Sequence, residues 1–440
     1  MEKKERKKEV QALLALMIVI NNQVKKKINE KIKGGIKNEV LLKLFSNDYS
    51  REVIDKYINS FPDSSKEEIK LNLDICPILT NIEDNGISLN FDATNKDIIE
   101  PLENKLNSFL EKPKLHGTKE KIGTKDWVKK VLRKNNYNSK SIKDFEKEVN
   151  SDNELLKDLK EIDKITGTIG IYERLKAVEI NEKIHTNFLP YSGLSGRIVS
   201  HYPSTQNFPS EWKKYLKPLR EGEKIFEIDL RSAEILTLAK ITQETKVFDI
   251  ITKRDFYKYV TSKIFDIKEE EVTDTQRKVM KKVINAINYG VGVEGLTKII
   301  HESTKSKVSY EDGKAVKDEY FNLFPKFKEY QKKQSEITEL KTFSGHIFKV
   351  DASYKHISFE PQNIIATLIK DLLIALDEVN YTKNIINIVH DSIWISSTHD
   401  IANEIKDIME GIFGDLVEGT AVEGIELTKL TELGGGSKNV

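Results

Sequence analysis

The segment Asn384 to Ser397, NIINIVHDSIWISS, is two apolar strand-like runs with His390, Asp391 and Ser392 between them. Runs this rich in isoleucine, valine and tryptophan belong to strands of a buried sheet, and the polar residues between them form a hairpin turn. Asp391 is thereby presented at the turn, where an aspartate most often caps its own backbone. The hairpin needs a core around it. At 440 residues and 38% hydrophobic content the chain can supply one, divided among two or three packed units.

Composition removes several classes of function. One cysteine, Cys76, allows neither an internal disulfide nor a thiolate cluster for zinc or iron-sulfur chemistry, so a catalytic metal must sit on oxygen or histidine. The longest early apolar stretch, Ala12 to Ile20, is too short to span a bilayer and precedes no cleavage site, which reads as a soluble, cytoplasmic protein with no membrane partner. Net charge is only +1, but it is unevenly spread. Residues 1 to 40 hold eleven Lys or Arg against five Glu. Residues 112 to 143 hold eleven against Glu120 and Asp126, interleaved with Trp127 and Tyr137. The second run suits a phosphate backbone better, since phosphate binding needs clustered cations with few acids among them, although a solvated helix face explains either run equally well.

The first 72 residues read as short helices broken at Gly34-Gly35, with no legible purpose. Ile75, Ile78, Leu79 and Ile82 recur at helical spacing before Asn85-Gly86, which predicts a helix end and turn. Residues 97 to 111 and 153 to 183 read as long helices flanking the basic segment, a helical hairpin with a charged tip. Ile225 to Leu230 alternates like a strand and would carry Asp229 at its end. Residues 232 to 341 are largely helical, and 342 to 397 return to strands around a helix from about Gln362 to Leu376.

Two further segments carry chemistry. In QRKVMKKVINAINYG, Gln276 to Gly290, Arg277, Lys281, Asn285 and Tyr289 recur every four residues. At 3.6 residues per turn they drift about 40° per step and form one stripe, with Val279, Val283 and Ile287 elsewhere on the helix. Two cations followed by an aromatic ring suit a triphosphate and the sugar or base beyond it. In DLRSAEIL, a strand delivers Asp229 and the next turn delivers Glu234. Such acids serve as caps, ion-pair partners or metal ligands.

Taken together these segments resemble family A DNA polymerases, the group of bacterial DNA polymerase I, in order from about Leu73 to the C-terminus. CPILTNIEDNGISLN, Cys76 to Asn90, is similar to the opening of that family's polymerase domain. Gly123-Thr124-Lys125 resembles its thumb tip, and Ser195-Gly196-Arg197 with Gln206-Asn207-Phe208-Pro209 its Thr-Gly-Arg and Gln-Asn-Ile-Pro signatures. Asp229 to Glu234, Arg277 to Gly290 and His390-Asp391 resemble its first catalytic motif, nucleotide helix and second catalytic motif, and Gln362 with Ala366, Ile369 and Lys370 the helix before the last. So many matches in the right order make chance a poor explanation.

The resemblance implies an α+β right-hand polymerase: a palm with an antiparallel sheet, helical fingers and thumb, and a small N-terminal helical segment. Its expected divisions are an N-terminal segment over 1–72, a thumb with the start of the polymerase domain over 73–184, palm over 185–240, fingers over 241–341 and palm again over 342–440. It implies a monomer that extends a primer with deoxynucleotides. Two Mg²⁺ ions, with Mn²⁺ as an alternative, would be held by Asp229 and Asp391. Arg277 and Lys281 would hold the phosphates, with Lys281 as proton donor to the leaving group. Tyr257, Asn285, Tyr289 and Glu234 would complete the nucleotide pocket, Glu234 under the sugar. Arg197, Gln206, Asn207, Gln362, His390, Lys125, Lys129 and Lys130 would contact primer-template DNA. A proofreading exonuclease is not expected, because 72 residues cannot supply its fold, and the N-terminal segment would bind DNA or a replication partner or pack on the thumb. The chain departs from the family pattern at Asn285, at Tyr257 in place of a phosphate-binding His, and at Ser392 in place of a Glu. His-Asp-Ser occurs in single-subunit RNA polymerases of the phage type, so a single-subunit RNA polymerase, a primase-like enzyme or a reverse-transcribing relative is an alternative, though the RNA polymerases lack the acid corresponding to Glu234. A weakly catalytic DNA-binding accessory protein is a further alternative.

Overall fold

The apolar hairpin over 384–397 forms. In the computed structural model, which describes residues 63–433 apart from 116–120, 151, 193–194, 305, 344, 346, 352, 415 and 417–426, strand Ile385–Val389 pairs antiparallel with Ser392–Ser397. Val389 opposite Ser392 leaves His390 and Asp391 as a two-residue turn. Ile385, Ile386, Ile388, Ile393, Trp394 and Ile395 are all buried, at roughly 1.5–3 kcal/mol each, which is why these strands carry no polar face. The segment over residues 1–62 lies outside the described residues, as does Gly434-Gly435-Gly436.

The chain forms two compact units. The first gathers residues up to Asp84, Phe188–Ser200 and Phe226–Thr431. At its centre is a four-stranded sheet in the order Ile385–Val389, Ser392–Ser397, Lys224–Leu230, Thr428–Leu433. Helices Ala233–Thr242, Phe359–Glu378 and His399–Gly414 pack around it. Among the described residues six α-helices between Thr245 and Glu336 follow, clustered on the rings of Phe256, Tyr320, Phe324 and Phe327. Helix Asp63–Asn85 buries Ile75, Ile78, Leu79 and Ile82 in the same core and stops before Gly86, whose φ of +67° suits a helix C-terminus.

The second unit holds Asn85–Asn187, His201–Ile225 and the chain from Glu432 onward. Helices Glu100–Leu110 and Glu154–Ala177 pack on each other as expected, but the basic segment between them is not a bare tip. It folds into Lys125–Lys134 and Ile142–Glu148, which close a core of their own. Trp127 is fully buried there, and half-buried Tyr137 packs edge-on against Phe145 at 4.5 Å, so Trp127 is core and Tyr137 is engaged by a core ring. The expected helix to residue 183 is also corrected. It ends at Ala177, and Glu179–Ile180 pairs with Lys183–Ile184 around Asn181 and Glu182, both at positive φ. Ile180 is 60% exposed, so burial offers nothing to prolong the helix, and two left-handed residues make the short hairpin turn instead.

One buried charge of the first unit yields a pH-dependent stability. Lys370 is 1% exposed, donates from Nζ to Asn72 Oδ1 at 2.6 Å and lies 5.2 Å from the centre of the Tyr191 ring. Burial pulls its ammonium down from 10.5 to about 8, against the opposing pull of Glu68, Asp371 and Cys76. Between those two values the unfolded chain binds more protons than the folded one, so stability rises with pH; below about 8 both states are protonated and the contribution is constant. Urea unfolding of the wild type and Lys370→Met at several pH values should show their difference moving in favour of the wild type by roughly 3 kcal/mol between pH 8 and 10.5. A difference independent of pH contradicts this.

Candidate active site

Alternation along Lys224–Leu230 sends Phe226, Ile228 and Leu230 into the core and leaves Glu227 and Asp229, half-buried, on the other face. Ser392 Oγ lies 3.5 Å from Glu227 Oε1, and Trp394 Nε1 donates to the same oxygen at 2.9 Å. The Asp229 strand is thus held directly against the strand that Asp391 leads into, with Glu227 about 6.6 Å along from Asp229. Both acids sit next to strained turns. His390, before Asp391, has φ +56°, and Ser232, between Asp229 and Glu234, has φ +53°. Neither is glycine, so each costs about 1 kcal/mol and persists because its surroundings demand it. Ser232→Val is expected to lower the unfolding free energy by about 2 kcal/mol while Ser232→Gly does not lower it; equal losses would show that side-chain contacts, not φ, decide the position.

Glu234 enters on the first turn of helix Ala233–Thr242 and gathers three partners. Arg197 Nη2 lies 3.4 Å from its Oε1, the Tyr289 hydroxyl donates to the same oxygen, and Asn285 Nδ2 donates to Oε2 at 3.4 Å. Because the carboxylate takes the amide nitrogen, Asn285 Oδ1 points the other way, buried and without a protein partner. A narrow pocket bounded by Glu234, Leu238, Asn285, Asn288, Tyr289, Ile357 and Pro361 lies beside it. Burial raises the Glu234 carboxyl, Arg197 opposes this, and the charge of Asp391 adds to the rise. The Asp391 carboxyl is likewise raised, chiefly by burial, and lowered by Arg197, His390 and Lys281. His390 is held below the usual imidazole range by desolvation of its ring and then by Arg197.

Helix Asp274–Asn288 carries the stripe as its periodicity predicts. Thr273 and Gln276 cap it reciprocally, Met280, Val283, Ile284 and Ile287 face the core, and Gly290 follows at φ +78°. On the working side Arg277 donates from Nε to Asp255 Oδ2 at 2.7 Å, and its Nη2 stands 2.7 Å from the same oxygen as an ion pair. The guanidinium of Arg277 and Nζ of Lys281 stand 5.5 and 5.7 Å from the ring centre of buried Tyr257, whose hydroxyl is pushed up by burial and then by Glu234.

Gln362 is half-buried on helix Phe359–Glu378. Its neighbour Asn363, which sequence reasoning passed over, is the more firmly engaged. It donates to Ser195 O at 3.2 Å and accepts from Phe343 N at 2.6 Å, fixing the turn that leads to Arg197. No local pattern distinguishes such a residue, because both partners are distant in sequence. Gln206 and Asn207 belong to the second unit, where Asn207 Nδ2 donates to Ser204 Oγ at 3.1 Å. Lys125, Lys129 and Lys130 lie on the second unit's helix Lys125–Lys134, capped by Thr124. Some of the basic charge there is offset within the unit, by Lys129 with Asp126 at 3.2 Å and Lys112 with Asp158 at 2.7 Å.

A model of DNA polymerase family A matches residues 93–417, well over half of the sequence. The chain belongs to DNA polymerase family A. It is 26% identical over 262 residues to DNA polymerase I of Aquifex aeolicus, covering 57% of this chain and 45% of that protein. It is 28% identical over 156 residues to DNA polymerase I of Bacillus caldotenax, covering 34% and 17%. The chain therefore spans less than half the length of these relatives. The polymerase domain of Pol1 from M. smegmatis, solved in complex with DNA primer-template and dNTP, superposes with a TM-score of 0.66 at 18% identity over 82% of this chain and 69% of that one, which establishes the fold. As in a family A polymerase domain, the architecture is α+β with a small sheet among many helices. No helix among the described residues is long and apolar enough to cross a membrane.

The three departures from the family pattern acquire physical content. Ser392 stands beside Glu227, so a carboxylate on the neighbouring strand occupies the space next to it. Tyr257 supplies a neutral ring beneath two cations. Asn285 gives the pocket an unpaired acceptor. Family A polymerases generally use divalent metal ions, and the donors present suit a hard one. Asp391 is a half-buried carboxylate whose desolvation the protein's own cations offset only in part. Among the described residues no three His, Cys, Asp or Glu side chains form a closed metal cage.

Proposed function

We propose that this chain is a template-directed DNA polymerase that adds deoxynucleotides to a primer 3′ end. The observation that supports the reading is that Glu234, five residues after Asp229, binds Arg197, Asn285 and Tyr289 at once, which brings the acid turn and the cationic helix together. Asp229 and Asp391 would hold two Mg²⁺ ions, which when bound supply charge for the attacking 3′-hydroxyl and the leaving pyrophosphate. Arg277 and Lys281 would bind the outer phosphates, and Lys281 would donate a proton to the departing oxygen. Glu234, clamped by Arg197, Asn285 and Tyr289, would floor the sugar pocket where a 2′-hydroxyl collides. Arg197, His390 and Gln362 would line the primer terminus, with Gln206, Asn207, Lys125, Lys129 and Lys130 on the duplex backbone, reading shape while base pairing reads sequence. The proposed divisions are thumb over 73–184, palm over 185–240 and 342–440, and fingers over 241–341, with 1–72 as a site for DNA or a replication partner.

The test crosses DNA and RNA templates with deoxy- and ribonucleotides in Mg²⁺ and Mn²⁺. Extension of a DNA-templated primer with deoxynucleotides supports the proposal; preference for ribonucleotides moves it to an RNA-synthesising relative.

A further inference from the structure

Asp255 performs two tasks with two oxygens. Its Oδ1 accepts from Lys258 N at 2.8 Å and caps helix Phe256–Phe265, while its Oδ2 accepts from Nε of Arg277, 22 residues on, at 2.7 Å and pairs with Nη2 at the same distance. The guanidinium is fixed at one edge by this carboxylate and on one face by Tyr257. Of its five N–H groups, that of Nε is spent on Asp255, and the two on Nη1 stand at the edge away from it. The stripe that Arg277 shares with Lys281, Asn285 and Tyr289 is the side that edge serves.

We infer that Asp255 is a positioning residue for triphosphate binding, holding Arg277 in the orientation in which its outer edge meets the phosphates; this rests on the polymerase reading of the site. Two effects oppose each other. Pairing with a carboxylate weakens the pull of Arg277 on an anion, but Asp255 and Arg277 side chains are each about one-third exposed, at 32% and 33%, where solvent screens such a pair. An arginine left unpaired must be ordered when the ligand arrives, and that cost is among the largest of any side chain. Ordering therefore outweighs neutralisation, and preorganisation raises affinity.

Asparagine separates the tasks. It is as good an N-cap as aspartate, so Asp255→Asn keeps the helix start, but with its carbonyl on Lys258 N it turns an amide NH₂ toward the guanidinium. The experiment measures deoxynucleoside triphosphate binding to the full chain on primer-template ended with a dideoxynucleotide, together with steady-state rates on an extendable primer. Asp255→Asn should raise Kd and KM about tenfold, leave kcat within about twofold and keep the thermal midpoint, whereas Asp255→Ala should show the same affinity loss with a lower midpoint. In an Arg277→Ala background Asp255→Asn should cost nothing further. Unchanged or tighter binding by Asp255→Asn, or an equal loss without Arg277, overturns the inference. A wild type that neither binds nor incorporates deoxynucleotides overturns the polymerase reading, and this inference with it.

Discussion

Asp229→Asn and Asp391→Asn are each expected to slow nucleotide addition by about 10³-fold or more, roughly 4 kcal/mol of transition-state stabilisation. Both substitutions keep side-chain size and remove the anion a hard cation requires. Stability separates loss of chemistry from loss of fold. Asp391 is a carboxylate held against burial, offset in part by Arg197, His390 and Lys281, so a neutral amide there should leave the thermal midpoint equal or higher. Single-turnover extension with calorimetry on the same preparations measures both. Folded variants that retain more than about a tenth of the wild-type rate would remove these residues from the reaction.

Lys281→Ala should lower the single-turnover rate about 10²-fold, the lower range for a general acid. Arg277 also stands over Tyr257 but is tied to Asp255, so its loss should appear mainly in KM. Lys281→Arg discriminates charge from proton transfer. Guanidinium keeps the cation yet does not give up a proton at neutral pH, so the arginine variant should recover nucleotide affinity while its rate stays close to that of the alanine variant. Full recovery of rate in Lys281→Arg would reduce the role of Lys281 to charge alone.

What the sequence disclosed were features with a local period or a local pattern. The hairpin around Asp391, the strand ending near Asp229, the stripe on the Arg277 helix and the glycine turns after Asn85 and Tyr289 all follow from alternation, helical spacing or positive φ. What it withheld depends on contacts between residues far apart. Nothing local marks Asp255 as the partner of Arg277, Asn363 as the anchor of the Ser195 turn, or Glu227 as the acceptor for Trp394. Left-handed Ser232 and His390 were equally hidden, because only glycine advertises that conformation. The basic run misled in one respect. Counting charges found the cations but could not see that Trp127 is buried and Tyr137 packs on Phe145, nor that Asp158, on another helix, offsets Lys112. The three substitutions in the family pattern were visible as departures, yet the carboxylate beside Ser392 and the two cations over Tyr257 emerged only from the fold.

The most direct measurement is primer extension on a DNA template of mixed sequence with each deoxynucleotide withheld in turn. A template-directed DNA polymerase halts one position before the template base that calls for the missing nucleotide, and the halting points move with the nucleotide withheld. Additions that ignore the template, or no addition by protein whose thermal unfolding shows it to be folded, would contradict the account.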